Sequence, residues 1–171
     1  MAKITLKGNP IQTSGNLPSP KSTAPDFVLV DKDLSNRSLK DYAGKRKLFS
    51  IVPSLDTPVC ELSAKKLNDA ASKHPEICIL FVSADLPFAQ KRICSIDKLD
   101  NIVTLSLMRS KKFAEDYGVL IQDGPLAGIC ARAIVVVDEN NKVVYSELVP
   151  EIAQEPNYEK AIDALLANKN S

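Results

Sequence analysis

The segment KLFSIVPSLDTPVC, Lys47 to Cys60, decides the fold because one kind of periodicity gives way to another within it. Its first part, KLFSIV, is a nearly continuous apolar run, which is typical of a strand covered on both faces of a sheet. From Thr57 to Lys73, small and apolar side chains recur at helical spacing and charged side chains occupy the other positions. A buried strand that leads directly into an amphipathic helix indicates an α/β protein.

Strands and helices alternate along the rest of the chain. ICILFVSAD, Ile77 to Asp85, predicts another buried strand, and a helix opens at Pro87. After a short strand, NIVTLS, and a helical segment, KKFAEDYG, come two strands, CARAIVVVD and KVVYSELV, which Glu139-Asn140-Asn141 join as a hairpin. The last helix runs from about Asn157 to Ala167. We therefore expect an α/β sandwich with a mixed central sheet flanked by helices. The length fits one domain, residues 1–171.

The region before the first buried strand is rich in turns. ITLKGNPIQT predicts a small N-terminal β-hairpin with Gly8-Asn9 as its turn. DFVLVD, Asp26 to Asp31, alternates apolar and polar residues and predicts a further strand.

Charge and hydropathy exclude several classes of function. The formal net charge is +1, so no electrostatic bias points to nucleic acid or to an anionic membrane. No stretch approaches the roughly 20 apolar residues of a membrane helix. The N-terminal segment MAKITLKGNP lacks the apolar core of a signal peptide. We expect a cytoplasmic protein, whose thiols are kept reduced.

The four cysteines, Cys60, Cys78, Cys94 and Cys130, are widely spaced, and no C-x-x-C occurs. A zinc site usually has closely paired ligands, so none is expected, and no heme or flavin motif is visible. The single histidine, His74, lies at the far end of the helix that Cys60 begins, which argues against a Cys–His dyad. Inert core thiols and thiol redox chemistry remain as the alternatives.

Cys60 occupies an unusual position. If Thr57 caps the helix, Pro58 is its first residue, where a missing N–H is tolerated, and Cys60 lies in the first turn. The unpaired N–H groups and the positive end of the helix dipole then lower the thiol pKa and favour the reactive thiolate. The alternative that Cys60 is an unreactive, buried thiol remains open at this point, because free cysteine is among the most frequently buried residue types.

PSLDTPVC closely resembles the P-x-x-x-T-x-x-C signature of peroxiredoxins. The segments SADLPFAQKRIC and ARAIVVVDENNKVVYSELV are similar to the thiol peroxidase branch, the atypical two-cysteine type. The resemblance covers essentially the whole chain. It implies a thioredoxin-like fold, a homodimer and the reduction of hydrogen peroxide and organic hydroperoxides. It also implies that thioredoxin or a similar protein supplies the electrons and that no cofactor is needed.

The resemblance also implies a role for each matching residue. Cys60 is the peroxidatic cysteine, which becomes a sulfenic acid, and Cys94 resolves that acid as an intramolecular disulfide. Thr57 presents its hydroxyl to the thiolate and the peroxide, and Pro53 shields the pocket from water. Arg132, which opens an apolar strand, stabilises the thiolate and the charge on the departing oxygen.

The other two cysteines match no family role. Cys78 alternates with apolar residues in a buried strand and is expected in the core. Cys130 would share a strand face with Arg132; packing is the favoured explanation, and redox exchange through Cys130 stays open. The alternative for the whole chain is a non-enzymatic redox sensor on the same fold. A disulfide reductase would need the missing C-x-x-C.

Overall fold

The computed structural model describes residues 2–167, and the side chains of Cys60 and Glu61 lie outside this description. Within that part the chain forms nine strands and four α-helices. The strands are β1 (Lys3–Leu6), β2 (Asn9–Gln12), β3 (Leu29–Val30), β4 (Asn36–Arg37), β5 (Arg46–Ile51), β6 (Ile77–Ser83), β7 (Val103–Ser106), β8 (Ala133–Val137) and β9 (Val143–Leu148). The helices are α1 (Pro58–Lys73), α2 (Pro87–Ile96), α3 (Lys112–Asp116) and α4 (Tyr158–Leu166). None of the helices described is long and apolar enough to cross a membrane.

The main sheet has seven strands in the order β4-β3-β7-β6-β5-β8-β9. β5, β6 and β7 are parallel, whereas β8 runs antiparallel to β5, so the predicted mixed sheet is confirmed. The carboxyl ends of the three parallel strands meet at one edge, and the loops that follow them converge there. The loop after β5 leads to Cys60.

Apolar residues cover both faces of the sheet, as the continuous apolar runs predict. Phe49 of β5 belongs to one buried cluster and its neighbour Leu48 to the other. The first cluster contains the stacked rings of Phe113 and Tyr117, whose centroids are 4.2 Å apart. The second packs α1 and α4 against the sheet. The central strands are thereby a rigid support for the edge where the loops meet.

Two local predictions near the N-terminus need correction. The hairpin is present, but its two turn residues are Lys7 and Gly8, with φ of 51° and 82°, and Asn9 already pairs with Leu6. Both turn residues are left-handed, as a tight hairpin turn requires. The strand predicted over DFVLVD is reduced to Leu29–Val30.

The strand predicted to begin at Cys130 begins only at Ala133. Before it, the Ala131 N–H donates to the carbonyl of Val119 at 2.8 Å, so this part of the chain pairs with the segment after α3. Arg132 therefore immediately precedes β8. The expected strand that contains both Cys130 and Arg132 is therefore not formed: Cys130 pairs with Leu120 and Arg132 lies before β8.

Candidate active site

The loop between β5 and α1 is held at both ends. The Val52 N–H donates to the Val82 carbonyl at 3.0 Å, which extends the β5–β6 pairing by one residue, and Pro53 is buried. Thr57 is the N-cap of α1, with extended φ and ψ of −136° and 151°, and Pro58 is the first helical residue. Cys60 is thus the third residue of α1 and lies in its first turn, as predicted.

Thr57 caps α1 through its backbone geometry but not through its side chain. Its hydroxyl donates to the carbonyl of Ser54 at 3.2 Å and accepts no bond from an N–H of α1. The sequence predicts the capping position correctly, whereas the use of the hydroxyl differs from a standard cap. The N–H groups of the first turn are therefore not neutralised by Thr57, and the positive end of the helix faces the Cys60 position.

Arg132 is a buried cation immediately before the neighbouring strand β8. Only 3% of it is exposed, and its Nε donates to the carbonyl of Ile152 at 2.8 Å. Because Ala133 pairs with Ile51, Arg132 lies at the level where the chain leaves β5 for the Cys60 loop. A buried guanidinium at this point stabilises a nearby anion more strongly than an exposed one would.

A carboxylate that the sequence did not single out, Asp85, organises this loop. It follows β6 and accepts hydrogen bonds from the Ser54 hydroxyl at 2.7 Å, the Leu55 N–H at 2.7 Å and the Ser83 hydroxyl at 2.8 Å. The available signal was the pair of polar residues Ser83 and Asp85 at the end of an apolar strand, at the edge where ligand sites form in α/β sheets.

Cys94, the expected resolving cysteine, lies in the second half of α2 and is partly buried. It lines a cavity of about 690 Å³. The charged side chains on its wall include Asp31, Arg37 and Lys91. Burial raises the pKa of the Cys94 thiol from 9.0 to about 11. In this conformation the thiol keeps its proton and is a weak nucleophile.

A second cavity, of about 140 Å³, separates α2 from the Cys60 loop. Leu55 and Asp56 line it on the loop side, and Ile93, Ile96 and Asp97 line it from α2 and the residue after it. Cys94 lines the other cavity, about 100° further round the helix than Ile93. The face of α2 that meets the loop is therefore not the face that carries Cys94.

The remaining cysteines are core thiols. Cys130 is fully buried, and burial raises its pKa to about 12, whereas Cys78 in β6 has its pKa raised to about 11 by the same cause. Both protonated thiols pack within the first buried cluster. These environments agree with the packing role that the sequence favoured.

His74 is the C-cap of α1. At about 1.5 Å per residue, it is roughly 20 Å along the helix from the first turn. A Cys60–His74 dyad is excluded by this separation, as expected.

Comparisons with known proteins agree with the site. A family model described as Redoxin matches residues 19–162. The thiol peroxidase of Leptospira interrogans is 51% identical over 96% of this chain and 97% of its own length. The crystal structure of a peroxiredoxin-like protein from Aquifex aeolicus is 40% identical, with a TM-score of 0.89 and 96% of each chain covered. A thiol peroxidase from Chromobacterium violaceum is 26% identical, with a TM-score of 0.88 over 97% of this chain and 96% of its own.

These similarities confirm the expected thioredoxin-like fold and the expected enzyme class, a peroxidase and not a non-enzymatic sensor. They extend over nearly the whole chain. The chain belongs to the redoxin family, as an oxidoreductase of the thiol peroxidase type.

Proposed function

We propose that Cys60 is the nucleophile of this peroxidase. Its thiolate attacks the terminal oxygen of the peroxide, a sulfur–oxygen bond forms as the oxygen–oxygen bond breaks, and water or an alcohol leaves after taking up a proton. Cys60 is oxidised to a sulfenic acid and the peroxide is reduced. The observation that carries this assignment is the position of Cys60 in the first turn of a helix whose N-cap side chain binds elsewhere.

Three neighbours support this step. The guanidinium of Arg132 stabilises the thiolate and the oxygen that gains charge, because preorganised donors act strongly where water is excluded. The Thr57 hydroxyl orients the peroxide, and the buried ring of Pro53 limits access of water. Thr57 donates to a carbonyl in the reduced protein; it exchanges this acceptor for a substrate oxygen when peroxide binds.

Cys94 resolves the sulfenic acid. Its thiolate attacks the Cys60 sulfur, a disulfide forms within one chain and the hydroxyl leaves as water. A thioredoxin-type protein then supplies the two electrons that reduce the disulfide. Because Cys94 lines the cavity on the other side of α2 and its thiol pKa is raised, α2 must unwind locally before this attack.

Mapping the disulfide after oxidation tests the assignment. The reduced enzyme receives one molar equivalent of hydrogen peroxide and is digested for mass spectrometry without reductant. We expect a Cys60–Cys94 disulfide within one chain. The Cys94→Ser variant should retain a sulfenic acid that a specific carbon nucleophile traps at Cys60. A disulfide through Cys130 or Cys78 would contradict the proposal.

We also propose that residues 1–171 form one domain, that the enzyme is a homodimer and that it acts in the cytoplasm. One seven-stranded sheet through the described residues supports the first statement. Large apolar side chains on or next to α1 and α2 are more than half exposed and offer an interface: Leu62, Leu86, Phe88 and Ile96. Resolution by a free thiol supports a reducing compartment. Sedimentation at micromolar concentration should give a dimer; a strict monomer would contradict it.

A further inference from the structure

We propose that Asp85 is a positioning residue for Cys60, and that its hydrogen-bond network confines the unwinding of α2 to the part beyond Gln90. Asp85 follows β6 and belongs to neither redox helix. The proposal rests on Cys60 being the nucleophile, as argued above. In this proposal the carboxylate that follows β6 determines the position of that nucleophile.

Three hydrogen bonds meet at Ser54, in the loop between β5 and α1. The Ser54 hydroxyl donates to Asp85 Oδ1 at 2.7 Å and accepts from the Asp56 N–H at 3.1 Å. The Ser54 carbonyl accepts from the Thr57 hydroxyl at 3.2 Å. Fixing Ser54 therefore fixes both the turn at Asp56 and the hydroxyl of Thr57, three residues before Cys60.

A second contact holds the loop directly. The Leu55 N–H donates to Asp85 Oδ2 at 2.7 Å, and the Leu55 side chain is 1% exposed. A carboxylate that accepts from both a hydroxyl and a backbone N–H fixes two consecutive residues with charge-assisted bonds. The N-terminus of α1 is then placed from the end of β6 through Asp85.

The same carboxylate is anchored in the sheet. Asp85 Oδ2 also accepts from the Ser83 hydroxyl at 2.8 Å, and the Asp85 carbonyl accepts from the Ser106 hydroxyl at 2.5 Å. Both serines are fully buried at the carboxyl ends of β6 and β7. Hydrogen bonds to two fully buried serines limit the freedom of the half-buried Asp85. Asp85 therefore transmits the geometry of the sheet edge to the loop.

Gln90 connects this network to α2. Its side chain is fully buried, and its Nε2 donates to the Ser83 hydroxyl at 3.0 Å and to the Leu105 carbonyl at 3.0 Å. The first turn of α2 is thereby attached to the same sheet edge that places Cys60. Cys94 lies one helical turn beyond Gln90 and takes part in none of these bonds. The hinge for resolution falls between the two residues.

The test uses Asp85→Asn and Asp85→Ala, with Asp138→Ala as the matched control. Asp138 accepts the N–H groups of Asn140 and Lys142 at 2.8 and 2.9 Å in the β8–β9 turn, so its loss removes comparable loop bonds at another place. We measure the rate of peroxide reduction, the pH dependence of Cys60 thiolate absorbance and the free energy of unfolding.

We expect Asp85→Ala to slow peroxide reduction by about 10- to 100-fold, since a small misplacement of a reacting group costs about that much. The Cys60 thiol pKa should rise because the helix start is less well fixed against Arg132, and Asp85→Asn should recover part of both losses. Asp138→Ala should lower stability without moving the Cys60 pKa.

Two outcomes would overturn the proposal. One is a Cys60 pKa that falls in Asp85→Asn, because Asp85 would then act on the thiolate by its charge. The other is unchanged peroxide reduction in both Asp85 variants. Cys60→Ser, assayed alongside, separates this result from failure of the functional assignment, because an active Cys60→Ser enzyme would disprove the nucleophile itself.

Discussion

The start of α1 and the second half of α2 carry the two cysteines assigned to the redox cycle, and the two segments are built in opposite ways. The loop before Cys60 is tied to the end of β6 by hydrogen bonds of Asp85, and the buried Arg132 immediately precedes the adjoining strand β8. Cys94 instead lines an open cavity of about 690 Å³, and burial raises its pKa to about 11.

The difference follows from what each cysteine must do. Attack on a peroxide needs a fixed, activated thiolate, because rate depends on geometry and on the charge stabilised in the transition state. Resolution needs a thiol that can travel, because a disulfide demands Cα atoms less than about 7 Å apart. One conformation does not satisfy both conditions, so we expect Cys60 to be held in place for peroxide attack and both the start of α1 and the second half of α2 to rearrange for resolution.

The largest effect is expected from replacing Cys60. Cys60→Ser removes the nucleophile, and peroxide turnover coupled to thioredoxin and its reductase should fall at least about a thousandfold. Cys78→Ala is the control and should retain most activity, since Cys78 only packs in the core. Turnover near that of the wild type in Cys60→Ser would show that Cys60 is not the nucleophile.

Replacing the buried cation has the next largest effect. Arg132→Met should slow peroxide reduction by about 100- to 1,000-fold, as loss of a preorganised donor does elsewhere. It should also raise the Cys60 thiol pKa, which thiolate absorbance against pH reports. The variant leaves the Ile152 carbonyl without its Nε donor, so its stability is measured in parallel.

An unchanged titration curve in Arg132→Met would show that the guanidinium does not act on the Cys60 thiolate. Arg132→Lys sharpens the test, because it keeps the charge and loses the planar fork. It should retain part of the pKa effect and less of the rate.

The central strands and the capping position could be predicted from the sequence alone. KLFSIV and ICILFVSAD predict β5 and β6 because continuous apolar runs need a sheet covered on both faces. Thr57 and Pro58 predict the start of α1 because capping is local. The sequence therefore predicts the central strands, α1 and the order in which the site residues occur along these elements.

Features that depend on contacts between residues far apart in the sequence could not be predicted in this way. Asp85 is polar at the end of a strand, and only the folded chain brings Ser54 and Leu55 to it, about thirty residues away along the chain. The same applies to Cys130, whose apolar surroundings mimic a strand that continues into β8, although its backbone pairs with Leu120 in the segment after α3. The orientation of Cys94 away from the loop likewise follows from the packing of α2.

A smaller effect is expected on the reactivity of Cys94 in the reduced enzyme. Because its folded-state pKa is raised from 9.0 to about 11, its thiolate fraction below pH 9 is about 100-fold lower than in the unfolded chain. Alkylation of Cys94 at pH 8 should be slower by about that factor than in denaturant. The difference should vanish as the pH rises through the folded pKa.

Cys130, with a pKa raised to about 12 and no exposure, is the internal control and should react more slowly still. Equal rates for Cys94 in the folded and unfolded chain would mean that α2 is already open in the reduced enzyme. The start of α1 and the second half of α2 would then not differ in the way described above.

Hydrogen exchange of the reduced and disulfide forms tests the central claim most directly, because it follows both segments at once. Between the reduced and the disulfide form, the amides of Leu62 to Ala64, which in an α-helix donate to the carbonyls of Pro58 to Cys60, and the amides from Ile93 to Ile96 should lose protection. The Gln90 amide, which donates to the Leu86 carbonyl at 3.1 Å, and the amides of β5, β6 and β8 should keep it. Equal protection of both segments in the two forms would contradict the account, because a Cys60–Cys94 disulfide would then form without movement of either helix.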